Sequence, residues 1–279
     1  MSSQLFYIPV EQTEVLASGL WGTVFRVKNE KIVVKVAKDG GKGLFESERK
    51  CLERLGGSGV IARYLGVAQV GRSEDGKSGL LFEYYPLGTL KDFLGQPVSI
   101  EVRSSRKQQL QWTSQVVDAL IKIHTLDVIH GDIGIHNILV ADNYNLKLTD
   151  FGGSSIDGAE MQVECSPRYH RPHSWRFPIT GVDCPTETWR IPTRKIDTFA
   201  LGTVLYEIFT AAQLYKDENY DQIRRHATRR EYPDLNVIEL PEVRGVITKC
   251  WSEQYDDAQQ IMKELAPIWE EVNPRKQYN

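Results

Sequence analysis

No apolar run in the chain approaches the ~18 residues that a membrane-spanning helix needs, so no membrane partner is expected. Cysteine is scarce as well. The four present (Cys51, Cys165, Cys184 and Cys250) form no CxxC pair and keep no regular spacing. That excludes a disulfide framework and reads them as reduced thiols, mostly packing residues. Charge of one sign is lacking too, with 34 basic against 37 acidic residues and a formal net charge of -3. Without a dominating positive field, no nucleic-acid partner is expected. The opening Met1-Ser2-Ser3-Gln4 has neither a charged n-region nor a long apolar h-region. A secretory signal is therefore not expected, and the expected compartment is the cytoplasm, with the nucleus as alternative. Internal repeats and low-complexity segments are missing.

What remains is ordinary globular material: 279 residues, 41% hydrophobic and 25% charged. That is enough for one large domain or two lobes around a sizeable core. The first third is written in strand grammar. Val15-Leu16, Thr23–Val27 and Ile32–Val36 are short β-branched runs separated by a glycine loop and a polar turn. A helical pattern carries Phe45, Leu52 and Leu55, and strands are expected at 61–67 and 80–84. Beyond Gly88 the grammar becomes helical. Leu110, Val116, Val117, Leu120, Ile121 and His124 share a face, and 198–212 is apolar almost all round, as in a centrally buried helix. Between these helices, 152–192 is a long irregular stretch rich in Gly, Pro, Ser and Arg.

The first chemical candidate is Leu16-Ala17-Ser18-Gly19-Leu20-Trp21-Gly22-Thr23-Val24. Glycine lets backbone N–H groups approach phosphate oxygens closely. A strand follows this loop, so it is no Rossmann turn, and it lacks the GK[ST] of a P-loop. Taken alone, the glycine pattern is a weak signal and reads sooner as a hairpin turn. Lys35, within Val33-Val34-Lys35-Val36, must be paired if it is buried. Glu48 on the following helix is the expected partner, with Glu46 pointing elsewhere; an edge lysine reaching water is the plain alternative.

The decisive segment is Val128-Ile129-His130-Gly131-Asp132-Ile133-Gly134-Ile135-His136-Asn137, followed by Leu146-Lys147-Leu148-Thr149-Asp150-Phe151-Gly152. H-x-D-x-x-x-x-N with D-F-G eighteen residues after the first aspartate, behind a glycine loop and a lysine, is identified as the signature of the eukaryotic protein kinase superfamily. The resemblance covers roughly residues 10 to 270. It implies an α+β bilobal fold: a small antiparallel β-sheet N-lobe with one helix (1–84) and a larger, mainly helical C-lobe (85–279).

The resemblance also implies roles. Asp132 would accept or orient the acceptor hydroxyl, and Asn137 and Asp150 would hold Mg2+. Lys35, kept in place by Glu48, would grip the ATP phosphates. Leu16, Gly19, Gly22, Val24, Val33, Lys35 and Leu139 would line the nucleotide site, with the backbone of Glu83 and Tyr85 on adenine next to Phe82. Asp197–Gly202 resembles the opening of the central buried helix, and Lys249-Cys250-Trp251-Ser252 a late structural motif with Trp251 in the core. Cys165-Ser166-Pro167-Arg168-Tyr169 is similar to the loop of serine/threonine kinases, which would put the Ser166 hydroxyl near Asp132. The implied activity is ATP-dependent transfer to serine and threonine of protein substrates, by a monomer whose regulatory partners lie on other chains. A partner-binding pseudokinase and a small-molecule phosphotransferase remain as alternatives.

Four departures qualify the resemblance. Ala17 replaces the first loop glycine. Gly131 replaces the arginine that grips an activation-segment phosphate, so activity without that phosphate is expected. Gly134 stands where lysine is usual, so slower turnover is expected. Tyr169-His170-Arg171-Pro172-His173 replaces Tyr-x-Ala-Pro-Glu, and the matching arginine position is Ala258. The stretch 174–194 is an insertion expected to remodel the substrate platform. The combination resembles short divergent kinases of filamentous fungi, and the His-Gly-Asp loop is also similar to that of small-molecule phosphotransferases. Arg168 and Arg171 suggest acidic groups or plain solvated charge. Arg224, Arg225, Arg229 and Arg230 read as a solvated face or a docking patch. The irregular spacing of Cys165, His170, His173 and Cys184 argues against zinc.

Overall fold

The β-branched runs at the start form strands because their side chains divide between two faces. In a computed structural model describing residues 6–71, 76–172 and 190–272, β1 is Phe6–Ile8, β2 Thr13–Ser18, β3 Gly22–Val27, β4 Ile32–Ala37, β5 Tyr64–Val70 and β6 Lys77–Glu83. They make one sheet in the order β1-β5-β6-β4-β3-β2. Every pairing is antiparallel except β1 with β5, which is parallel. Val34 and Val36 join Ile8, Val27, Ala68, Val70 and Leu81 in a small core on one face. Val33, Leu80 and Phe82 enter the main core on the other. The two-residue period therefore aims Lys35 to the side of Val33.

The strand expected at 61–67 starts later, at Tyr64. Ile61 instead bridges singly to Leu148, while the Ala62 N–H donates to the Leu148 carbonyl at 2.8 Å. This stretch therefore joins the sheet to the second half of the chain. Strand β1 was not foreseen, since three residues pairing with a strand some sixty positions on leave no local period.

Helix α1 (Lys42–Leu55) buries Glu48, Cys51, Leu52 and Leu55, one face at helical spacing. After the connection at 84–89 come α2 (Leu90–Gly95), α3 (Ile100–Ser104) and α4 (Arg106–Thr125). Ser105 caps α4, accepting from the Gln108 N–H. The α4 residues Leu110, Val117 and Leu120 are wholly buried, each contributing about 1.5–3 kcal/mol. Short strands β7 (Val128–Ile129), β8 (Ile138–Val140), β9 (Leu146–Leu148) and β10 (Ser155–Ile156) carry the irregular segments between α4 and α5.

Helix α5 (Arg194–Thr210) is buried on all sides from Ile196 to Leu205, as its composition required. Around it lie α6 (Tyr220–Arg229), α7 (Pro241–Trp251) and α8 (Ala258–Val272). Trp251 is a core residue, stacked on Tyr232 at 4.4 Å with its Nε1–H donating to Thr203 Oγ1. The main core runs without a break from the sheet side (Val33, Leu52, Leu55) to the helical side (Leu120, Phe199, Ile247). Among the described residues, no helix is long and apolar enough to cross a membrane.

Candidate functional site

The residues singled out from sequence converge on one cleft of about 560 Å3 between the sheet and the helical half. Leu16, Gly19, Gly22, Val24, Val33, Lys35, Glu83, Tyr85 and Leu139 all line it, as do Glu48, Asp132, Asn137 and Asp150. The β2–β3 hairpin forms its lid. A register shift between Val15 and Ala17 leaves Leu16 as the bulged residue, which re-aims its side chain. The hairpin tip is braced by Lys38, whose Nζ donates to the Gly19 carbonyl at 2.6 Å. On the far wall, Tyr85 Oη accepts from the Arg63 N–H and the Glu83 N–H donates to the Arg63 carbonyl. The 84–89 connection is thereby pinned to the sheet.

Lys35 Nζ lies 2.7 Å from both Glu48 Oε2 and Asp150 Oδ1. Burial pulls the ammonium pKa down, but the two carboxylates more than offset this and raise it above the ordinary lysine value. Lys35 is therefore charged and paired, and the snorkelling alternative is excluded. Glu46 pairs with Arg49 instead. Burial likewise pushes Asp150 up, and Lys35 outweighs it and holds the carboxyl below its usual range.

The segment after β7 is fixed from beneath by Asp197, which is wholly buried near the start of α5. Its carboxylate accepts from the backbone N–H of His130 (2.9 Å) and of Gly131 (2.8 Å) and contacts His124 Nε2 (2.9 Å). A charge so buried is tolerable only with such partners; removing them would cost about 3–5 kcal/mol. His130 Nε2 faces the Thr149 carbonyl, which can only accept, so Nε2 carries the hydrogen and Nδ1 accepts from the Asp132 N–H. The His130 ring also packs edge-on against Phe151 at 4.8 Å.

These contacts aim Asp132 into the cleft, where three donors fix its carboxylate. Oδ1 accepts from the Ser166 N–H at 3.0 Å, while Oδ2 accepts from Asn137 Nδ2 at 2.9 Å and meets His136 Nε2 at 3.3 Å. Burial pushes Asp132 up, but His136, the Ser166 N–H and His130 outweigh it and leave the carboxyl below its ordinary value. The expected Ser166 contact is thus made by the backbone amide, not the hydroxyl. Because Asn137 Nδ2 is committed to Asp132, the Asn137 amide oxygen is the atom left for a hard cation, in the cleft that Asp150 also lines. Among the described residues, no group of three His, Cys, Asp or Glu side chains is placed to hold a metal. A two-oxygen site fits Mg2+, which completes its shell with water and phosphate oxygens.

The departures have physical counterparts. Gly131 has φ +78, and a Cβ there would lie 1.8 Å from Met161 Cε. Met161 is buried, so an apolar side chain fills the space above the position where arginine was expected. Arg168 and Arg171 are not open acidic-group receptors. Arg168 donates to the carbonyls of Leu214 and Tyr215, and Arg171 lies 2.8 Å from Glu253. The basic cluster on α6 divides: Arg224 is buried, Arg230 reaches Glu253 and the Trp251 carbonyl, and Arg225 and Arg229 are exposed. His170 pairs with Glu164 at 3.2 Å. Burial pushes the Cys165 thiol well up, which suits packing rather than ligation. His173, Cys184 and most of 174–194 lie outside the described residues. Sequence reasoning missed Phe45, Thr89, Asp92, His136 and Val163, which also line the cleft. For His136 the signal was available: it lies next to Asn137 within the segment already singled out.

Residues 10–265 match the family model described as protein tyrosine and serine/threonine kinase. The chain is 30% identical over 203 residues to the probable serine/threonine-protein kinase drkC of Dictyostelium discoideum, covering 67% of this chain and 24% of that protein. It is 28% identical over 255 residues to the mitogen-activated protein kinase kinase kinase dlk-1 of Caenorhabditis elegans (89% of this chain, 23% of that one). It is 24% identical over 256 residues to the dual specificity protein kinase shkD of Dictyostelium discoideum (87% and 32%). The chain thus spans a third or less of the length of these relatives.

Proposed function

Because the chain belongs to the protein tyrosine and serine/threonine kinase family, we propose that it transfers the γ-phosphoryl group of Mg-ATP to serine and threonine hydroxyls of protein substrates. The observation that carries this reading is the assembled state of the cleft. Lys35 is within ion-pair distance of both Glu48 and Asp150, and a triply anchored Asp132 faces the same space. A partner-binding scaffold would need neither. Serine and threonine as acceptors are supported by the Cys165-Ser166-Pro167 loop touching Asp132 and by the names of several relatives.

Lys35 holds the nucleotide phosphates, with Glu48 fixing its direction. Asp132 orients the acceptor hydroxyl and takes its proton as the oxygen–phosphorus bond forms and the bond to the departing ADP oxygen breaks. Mg2+ held by Asn137 and Asp150 supplies charge neutralisation when bound. Leu16, Val24, Val33 and Leu139 exclude water around the adenine, whose polar edge meets the backbone of Glu83 and Tyr85.

The test is phosphate transfer from ATP to generic protein and small-molecule acceptors, with Asp132→Asn and Lys35→Met alongside. Transfer to serine or threonine should fall about 10²–10⁴-fold in Asp132→Asn. Undiminished turnover in that variant would overturn the reading, and transfer to small molecules alone would move the acceptor class.

A further inference from the structure

Position 134 lacks the lysine that the resemblance expects, and the reason is spatial. The Gly134 backbone is extended (φ -176, ψ 160), a conformation open to any residue. A Cβ there, however, would lie 2.5 Å from His136 Cε1, 2.6 Å from His136 Nδ1 and 2.7 Å from Tyr169 Cε2. The imidazole of His136 therefore stands where the residue-134 side chain would begin.

That ring is held in place. It leans on Tyr169, centroids 5.4 Å apart, and Tyr169 is itself buried with its hydroxyl donating to Glu207 at 2.7 Å. While its neighbours Ile135 and Asn137 are buried, the His136 side chain keeps 30% of its surface exposed and lines the cleft. Its Nε2 sits 3.3 Å from Asp132 Oδ2, an oxygen that already accepts from Asn137 Nδ2 at 2.9 Å. Of these two contacts the histidine's is the longer and weaker. It can be exchanged for another acceptor without releasing Asp132.

We infer that His136 is a catalytic residue of the transfer step, its Nε2–H moving from Asp132 to an oxygen of the γ-phosphoryl group in place of the absent lysine. This rests on the phosphoryl-transfer reading. The step itself is the displacement described above, with the acceptor proton going to Asp132 and none taken from the imidazole. His136 contributes a directed donor to charge that develops on the moving phosphoryl oxygens.

The experiment compares wild type, His136→Ala, His136→Gln, Gly134→Lys and the double variant His136→Ala with Gly134→Lys, each as the full chain. For each, kcat, the KM for ATP and the melting temperature are measured. Loss of one such donor predicts about a hundredfold lower kcat in His136→Ala, with KM for ATP little changed. Glutamine, which keeps an N–H donor, should retain more turnover than alanine. Gly134→Lys alone should lose activity and melt lower because the ring blocks its Cβ. In the alanine background Tyr169 Cε2 still lies 2.7 Å from that Cβ, so the double variant should melt below His136→Ala and regain little turnover. Turnover of His136→Ala within about threefold of wild type overturns the inference, as does a loss that glutamine does not relieve. A wild type inert on every acceptor overturns the phosphoryl-transfer reading itself, and with it this inference.

Discussion

At the scale of single residues, the contact between Gly131 and Met161 shows what one missing side chain requires of another. A side chain at 131 would meet both a positive φ and the Met161 methyl at 1.8 Å. Gly131→Arg should therefore lower unfolding free energy by about 2–3 kcal/mol, from backbone strain plus overpacking. Measured against Met161→Ala alone, which frees the space but carries its own cavity cost, the same arginine should cost only the strain of about 1 kcal/mol. Denaturant titrations of wild type, both single variants and the double check the two values, and an equal cost of the arginine in the two backgrounds would refute the packing account. Residue identities such as Asp132, Asn137, Asp150, Lys35 and Glu48 were legible because each has a fixed place in an ordered motif. Met161 was not, because nothing local relates position 161 to position 131.

At the scale of elements, the segment after Tyr169 is tied to the end of α7 by an ion pair. Arg171 Nη2 and Nε lie 2.8 and 2.9 Å from Glu253 Oε2, and Arg230 approaches Oε1 at 3.6 Å. The cation is now on the segment and the anion beyond α7, the reverse of the glutamate–arginine arrangement sought at His173 and Ala258. Ala258 is buried at the start of α8 and leaves no charge behind. A double-mutant cycle on Arg171→Ala and Glu253→Ala should give a coupling of about 1–2 kcal/mol, above that of an exposed pair because both side chains are mostly covered. Coupling near zero would reduce the pair to a surface contact. The helices α1, α4 and α5 were readable from apolar spacing. This tether was not, because it joins residues 82 positions apart and each partner alone reads as solvated charge.

At the scale of the whole molecule, a buried carboxyl beneath the site links stability to pH. Glu207 on α5 accepts from Tyr169 Oη and from the Leu214 N–H, and it is wholly buried. Burial pushes it up from 4.5 to about 7, with those hydrogen bonds pulling only part of the way back. The folded chain thus holds this proton more tightly than the unfolded one. Its stabilising contribution is complete below pH 4.5 and is lost as pH rises through about 7. Over that window the change is about 3 kcal/mol. Glu207→Gln should melt at a temperature that falls less than wild type between about pH 5 and pH 8. An unchanged difference between the two would show that other groups set the slope.

The same scale exposes a consequence of how α1 meets the stretch after Asp150. Arg54 grips Asp157 with its two terminal guanidinium nitrogens, Ser47 reaches the Ser154 carbonyl, and Lys35 bridges Glu48 on α1 to Asp150. One helix and one segment are therefore stitched together at three levels. Swinging α1 outward would break all three sets of contacts together. A ligand whose binding required α1 to be displaced would have to offset the sum of those contacts, and one indifferent to the position of α1 would leave it unchanged.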